Sequence, residues 1–163
     1  MMIEILKKAQ SVAFTGHRSI DKDRAREVRD LVRTKVRLLY MLGFRYFVSG
    51  MALGFDMLAA EEVIKLKEEL KGVKLVAVVP YRGQSERWAP YQRERYQRIL
   101  NEVDEEIVLS EGYYNGCLLK RNDYMLAHAS GIIAYYDGKP KGGTFYTCRK
   151  ARLKGLDIIN LYR

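Results

Sequence analysis

Tyr46-Phe47-Val48-Ser49-Gly50-Met51-Ala52-Leu53-Gly54-Phe55-Asp56 holds one complete unit of the fold in miniature. Its opening run is short, β-branched and aromatic, and does not alternate with polar residues, which is the pattern of a strand buried on both faces. A loop with two glycines follows. The segment from Asp56 to Leu70 then reads as a helix, with Gly72 past its end.

The same unit recurs on either side of this stretch. Apolar runs lie at Val12–Phe14, Leu75–Val79, Ile107–Leu109, Ile132–Tyr136 and Ile158–Leu161. Between them, Val28, Leu31, Val32, Val36, Leu39 and Leu42 recur at helical spacing before Gly43. Trp88, Tyr91, Tyr96 and Ile99 suggest a third helix, Leu118, Met125, Leu126 and Ala129 a fourth, and Cys148, Ala151 and Arg152 before Gly155 a fifth. Strand and helix thus alternate throughout, with no repeat, linker or low-complexity segment. The expectation is a single three-layer Rossmann-like α/β domain over residues 1–163, with a mostly parallel, doubly wound sheet and helices on both faces.

Composition narrows the classes of function. Of 163 residues, 48% are hydrophobic and 30% charged, as in a folded chain with a real core. No apolar stretch approaches the ~20 residues that cross a bilayer, and the N-terminal Met1–Gln10 lacks a secretory pattern, so a cytoplasmic protein without a membrane partner is expected. Cys117 and Cys148 form no Cys-x-x-Cys pair, and His17 and His128 have no ligand neighbour at metal spacing. No metal and no required cofactor are expected. Lys and Arg number 29 against 20 Asp and Glu, a net charge of +9 that favours anionic partners without naming one.

In a sheet of this type ligands bind beyond the carboxyl ends of the strands, so the residues after each apolar run carry the functional reading. The first run is followed by Thr15-Gly16-His17-Arg18, where Gly16 permits close approach and Arg18 offers a fork to phosphate. Ser49, Gly50 and Gly54 belong to the loop quoted first, whose helix start can bind an anion, while Asp56 can accept from ribose hydroxyls or serve as a first-turn acid. Tyr81 and Gln84 follow the third run as candidates to stack on and read a base; Trp88 reads more readily as helix packing. Arg121 and Asn122 suit a phosphate or a sugar. The sharpest signal is Asp137-Gly138-Lys139-Pro140-Lys141-Gly142-Gly143-Thr144, in which Gly142, Gly143 and Thr144 open the last helix beside two lysines. No strand is followed by Gly-x-Gly-x-x-Gly, and no Walker-type motif is present.

Taken together, these five loops resemble those of the YpsA-like branch of the SLOG superfamily, which groups the DNA-processing protein DprA with the LOG-type nucleotide hydrolases. The resemblance extends over nearly the whole chain. It implies a Rossmann-like fold and a site for a nucleotide or a nucleotide-derived ligand, NAD-like or ADP-ribose-like. LOG-type enzymes carry Pro-Gly-Gly-x-Gly-Thr-x-x-Glu; here Lys141-Gly142-Gly143-Thr144-Phe145-Tyr146-Thr147 keeps the phosphate cradle but places Thr147 where the catalytic glutamate stands. A threonine cannot act as a carboxylate base, which disfavours hydrolysis by that route; Asp56 or Glu61 could supply another carboxylate.

Three functions follow in order of expectation. The first is a module that binds or senses a nucleotide-like small molecule, the second a nucleotide N-glycosidase, and the third a weak DprA-like binder of single-stranded nucleic acid. The third draws on the net charge, part of which clusters in Lys139, Lys141, Arg149, Lys150, Arg152 and Lys154. A homo-oligomer is compatible with each.

Overall fold

Every apolar run named above becomes a strand, and all of them run in parallel. The structure is a computed structural model that describes residues 7–163, so the first six residues of the N-terminal stretch read above lie outside the described residues. In chain order the elements are β1 (Ser11–Gly16), α1 (Lys22–Met41), β2 (Tyr46–Ser49), α2 (Phe55–Leu66), β3 (Lys74–Val79), α3 (Pro90–Glu102), β4 (Glu105–Val108), α4 (Cys117–Ala127), β5 (Gly131–Tyr135), α5 (Gly142–Leu153) and β6 (Asp157–Asn160). One six-stranded sheet takes the order β4-β3-β2-β1-β5-β6. Val12 sits in register with Phe47 on one side and Gly131 on the other, which makes β1 a central strand.

Because strand side chains alternate between faces, the sheet feeds two cores. Phe14, Phe47 and Leu75 point to one face, where Val28, Val32 and Val36 of α1 pack with residues of α2 and α3. Ala13, Val48, Val76 and Ile132 point to the other, beneath Met125 and Leu126 of α4 and Cys148 and Ala151 of α5. The edge strands β4 and β6 are more exposed, as their place requires.

Boundaries moved where a tertiary contact outweighed periodicity. Helix α2 ends at Leu66 rather than Leu70, yet Leu70 is still buried, in the turns that lead to β3. Trp88 precedes α3 and packs edge-on against Tyr96 at 5.2 Å, while Tyr91 faces outward. Leu42 lies past the end of α1 and is exposed.

Candidate functional site

In an all-parallel sheet each connecting helix runs back against the strands. The carboxyl ends of the strands and the amino ends of the helices therefore share one edge. From β1 the chain steps outward through β2, β3 and β4, then crosses back to place β5 on the far side of β1. The loops that leave β1 and β5 diverge there, and a cleft of about 490 Å³ opens beside them. Its walls come from the β1 turn, the starts of α2 and α4, and the loop into α5.

The loop between β2 and α2 is welded to the β1 turn. Gly54 has φ +82°, and a Cβ there would stand 2.4 Å from the Arg18 backbone and 2.5 Å from the His17 carbonyl. The Phe55 amide donates to that carbonyl at 3.0 Å. At Gly16, an added Cβ would stand 2.6 Å from Phe55. These two glycines thus permit one loop to lie against another. Ser49 is buried and fully used within its loop: its hydroxyl donates to the Asp56 carbonyl and accepts from the Met51 amide. The Gly50 carbonyl accepts from Arg121 Nη1.

Five polar residues of the cleft wall are each at least nine-tenths buried: Thr15, Asp56, Arg121, Asn122 and Thr144. Each keeps hydrogen-bonding capacity unspent among the described residues. Arg121 donates from Nε to Asn122 Oδ1 at 2.8 Å and from Nη1 to Gly50, leaving Nη2 without a partner among the described residues. Among the described residues the Asn122 amide nitrogen is likewise unpaired, as are the hydroxyls of Thr15 and Thr144. Asp56 accepts from the Ala52 amide through Oδ2 at 3.3 Å and has no hydrogen bond on Oδ1 among the described residues. Among the described residues, the one side-chain polar atom sealed from solvent without a partner is Gln84 Oε1, so the free atoms of these five are reached through the cleft.

Charge is arranged unevenly around these atoms. Burial pushes the Asp56 carboxyl up to about 6, against the opposing pull of Arg121, the Ala52 amide and Arg18. Burial lowers the Arg121 guanidinium by more than the nearby Asp56 raises it, and Arg18 adds a smaller repulsion. Arg18 is exposed and makes no ion pair within the described residues. Two guanidiniums therefore share a cleft with one carboxylate. Helix α5 adds a third positive element, since its first turn has neither an acidic residue nor a side-chain cap, so its amides and dipole face an incoming ligand. Gly142 there has φ +89°, and a Cβ on Gly143 would meet only Asn122 Nδ2, at 3.7 Å.

Of the residues read from sequence, Gly16, His17, Arg18, Asp56, Arg121, Asn122, Gly142, Gly143 and Thr144 line this cleft. His17 does so while its Nε2 accepts from the Asp137 amide at 2.9 Å, tying the β1 turn to the loop into α5. Ser49, Gly50 and Gly54 stand behind the wall as its supports. Tyr81 and Gln84 do not line it: Tyr81 packs edge-on against Tyr113, and Gln84 is buried, donating to the Met51 carbonyl and the Tyr96 hydroxyl. Glu61 lies away from the cleft, held by Arg29 and Arg95. Thr147 turns its hydroxyl to the Gly143 carbonyl one helical turn back, at 2.9 Å.

The cleft also includes Thr15, Ala52, Leu118, Leu119 and Lys141, which were not singled out as site residues. Thr15 had a readable signal, being the polar end of an otherwise apolar strand. Leu118 had none, because a leucine at helical spacing reads as core.

Comparison with known proteins agrees with this architecture. The SPbeta prophage-derived protein YoqJ of Bacillus subtilis (strain 168) is 33% identical over 108 residues, 59% of this chain and 63% of YoqJ, so the match spans less than two thirds of that relative. A UPF0398 protein of Bacillus velezensis is 25% identical over 126 residues, covering 76% of this chain and 69% of its own. Among solved structures, DNA processing protein A from Helicobacter pylori, which binds single-stranded DNA, superposes with a TM-score of 0.67 at 21% identity over 98% of this chain and 68% of that one. TM1055 gives 0.57 at 18% identity, over 91% and 72%. These two likenesses establish the Rossmann-like fold. The model of the YspA SLOG family matches residues 12–156, nearly the whole sheet and every helix of the cleft, and the chain belongs to that family.

Proposed function

We propose that the cleft binds a nucleotide or nucleotide-derived ligand such as ADP-ribose or NAD, and that the protein acts as a binding or sensing module. The observation that carries this reading is the set of five buried polar residues whose free atoms open onto one cleft. A ligand that covers these atoms must supply their partners, because a polar group buried without one costs about 1–3 kcal/mol. Donors dominate: Arg18, Arg121, Asn122, Lys141 and the amides of Gly143 and Thr144 suit a phosphate. Asp56 is the single carboxylate acceptor, suited to a pair of ribose hydroxyls.

N-glycosidic cleavage is a second reading, favoured by the Asp56 carboxyl near pH 6 inside the cleft. Against it, the position that carries the glutamate in LOG-type enzymes holds Thr147, whose hydroxyl is bonded within α5.

Calorimetric titration with ADP-ribose, NAD and nucleoside monophosphates, beside the unphosphorylated nucleosides, tests the binding reading. Phosphorylated ligands should bind and nucleosides should bind far more weakly; equal affinities would remove the phosphate from the account. Chromatography of the same mixtures should show no free base, and clear turnover would favour the enzyme reading.

A further inference from the structure

We infer that the base of the bound nucleotide lies against Leu118 and Leu119, so that the cleft selects nucleoside phosphates over sugar phosphates and reads the base by its apolar area rather than its hydrogen-bonding edge. This rests on the phosphate-binding reading above and adds to it which part of the ligand meets α4.

The cleft wall divides by chemistry. Its polar atoms belong to the β1 turn, the start of α2, the start of α5 and the Arg121–Asn122 pair, whereas the first turn of α4 presents Leu118 and Leu119. Three and four residues along a helix share a face, so Leu118 lies above Arg121 and Asn122 by one turn, about 5.4 Å, toward the mouth. Leu119 is 39% exposed there. Helix starts ordinarily carry capping or acidic side chains, yet α4 has neither in its first turn. Two leucines at the mouth of a polar cleft leave apolar surface in water, and a flat heterocycle covers such surface without needing a hydrogen bond from it.

Edge recognition has no residue to perform it at this end. Apart from the leucines the apolar part of the wall is Ala52, which has no side-chain donor or acceptor. Gln84, whose free Oε1 would suit a base edge, is sealed between Met51 and Tyr96 and does not reach the cleft. Larger bases should therefore bind better than smaller ones, with little distinction between adenine and guanine.

The test is calorimetric titration of the full chain with AMP, GMP, UMP and ribose 5-phosphate, repeated on Leu119→Ala and on the double variant Leu118→Ala/Leu119→Ala. AMP and GMP should bind within about threefold of each other, more tightly than UMP and roughly tenfold more tightly than ribose 5-phosphate. The double variant should lose most of that tenfold while its affinity for ribose 5-phosphate stays unchanged. Alanine favours a helix, and a melting curve for each variant checks the fold. The inference is overturned, with phosphate binding left standing, if ribose 5-phosphate binds the parent as tightly as AMP, if the double variant weakens both alike, or if AMP and GMP differ by more than about tenfold. If none of the four binds, the phosphate reading falls as well.

Discussion

Asp56 is the residue at which stability and function pull apart. Its carboxyl titrates near 6 in the folded chain against an ordinary 3.8, because burial penalises the charge more than Arg121, Ala52 and Arg18 favour it. The folded state therefore binds more protons than the unfolded state between these values, and this group's contribution to stability falls as pH rises from about 4 to about 6. The full displacement corresponds to roughly 3 kcal/mol. Asp56→Asn, which approximates the neutral acid, should raise the unfolding free energy measured by denaturant titration at pH 7.5 by an amount of that order and give almost no gain at pH 4. It should also weaken a ribose-bearing ligand, since a carboxylate acceptor is lost. A variant less stable than the parent at pH 7.5 would show that Asp56 is there to compensate Arg121 rather than to meet a ligand. Gly143 gives the complementary case. A valine Cβ there meets only Asn122 Nδ2, at 3.7 Å, so the fold should survive while its methyls fill the approach to the α5 amides. A loss of about 2 kcal/mol would weaken nucleotide binding roughly thirtyfold. Lys150→Ala on the same helix is the control, since Lys150 pairs with Asp123 outside the cleft. Unchanged affinity in Gly143→Val, with an unchanged melting curve, would reduce this loop to a turn.

Among the elements, the loop from β2 into α2 is the least tolerant. Gly54 stands at φ +82° with its α-carbon against the His17–Arg18 backbone, so alanine there meets both a disfavoured conformation and main-chain atoms that cannot step aside. Gly54→Ala should destabilise by about 2–4 kcal/mol, in contrast to Gly143→Val, and thermal melts of the two variants side by side measure the difference. Similar melts would mean that the weld between the loops is soft. The sequence shows both as glycines before a helix and offers no way to separate them. What separates them is which neighbouring loop each one faces.

For the whole molecule, the net charge of +9 is divided between basic residues held in ion pairs and basic residues left exposed. Lys150 is paired with Asp123, and Arg29, Arg33 and Lys65 surround the buried Glu62. Lys139, Lys141, Arg149, Arg152 and Lys154 remain exposed along the last loop and helix. Binding to single-stranded oligonucleotides should therefore be weak and should fall steeply between about 50 and 200 mM salt, as expected where released counterions drive association. Tight binding at physiological salt, measured by fluorescence anisotropy, would place nucleic acid ahead of the small nucleotide as partner.

The α/β class, the parallel sheet and nine of the cleft residues were legible in the sequence. Runs such as Leu75–Val79 carry the signature of strands covered on both faces, and a parallel sheet forces the loops that follow onto one edge. The sequence could not determine which of those loops meet. That depends on the strand order, which brings the turns after β1 and β5 together with the starts of α2 and α4 and leaves Tyr81 and Gln84 outside the cleft. Burial sorted the rest. Ser49 and Gln84 have side chains suited to binding, but their polar atoms are enclosed by neighbours, whereas Leu118 and Leu119 look like core and stand at the mouth. Periodicity records which residues are apolar and at what spacing; only the packed chain decides which surfaces a ligand can reach, because access depends on distances between segments far apart in sequence.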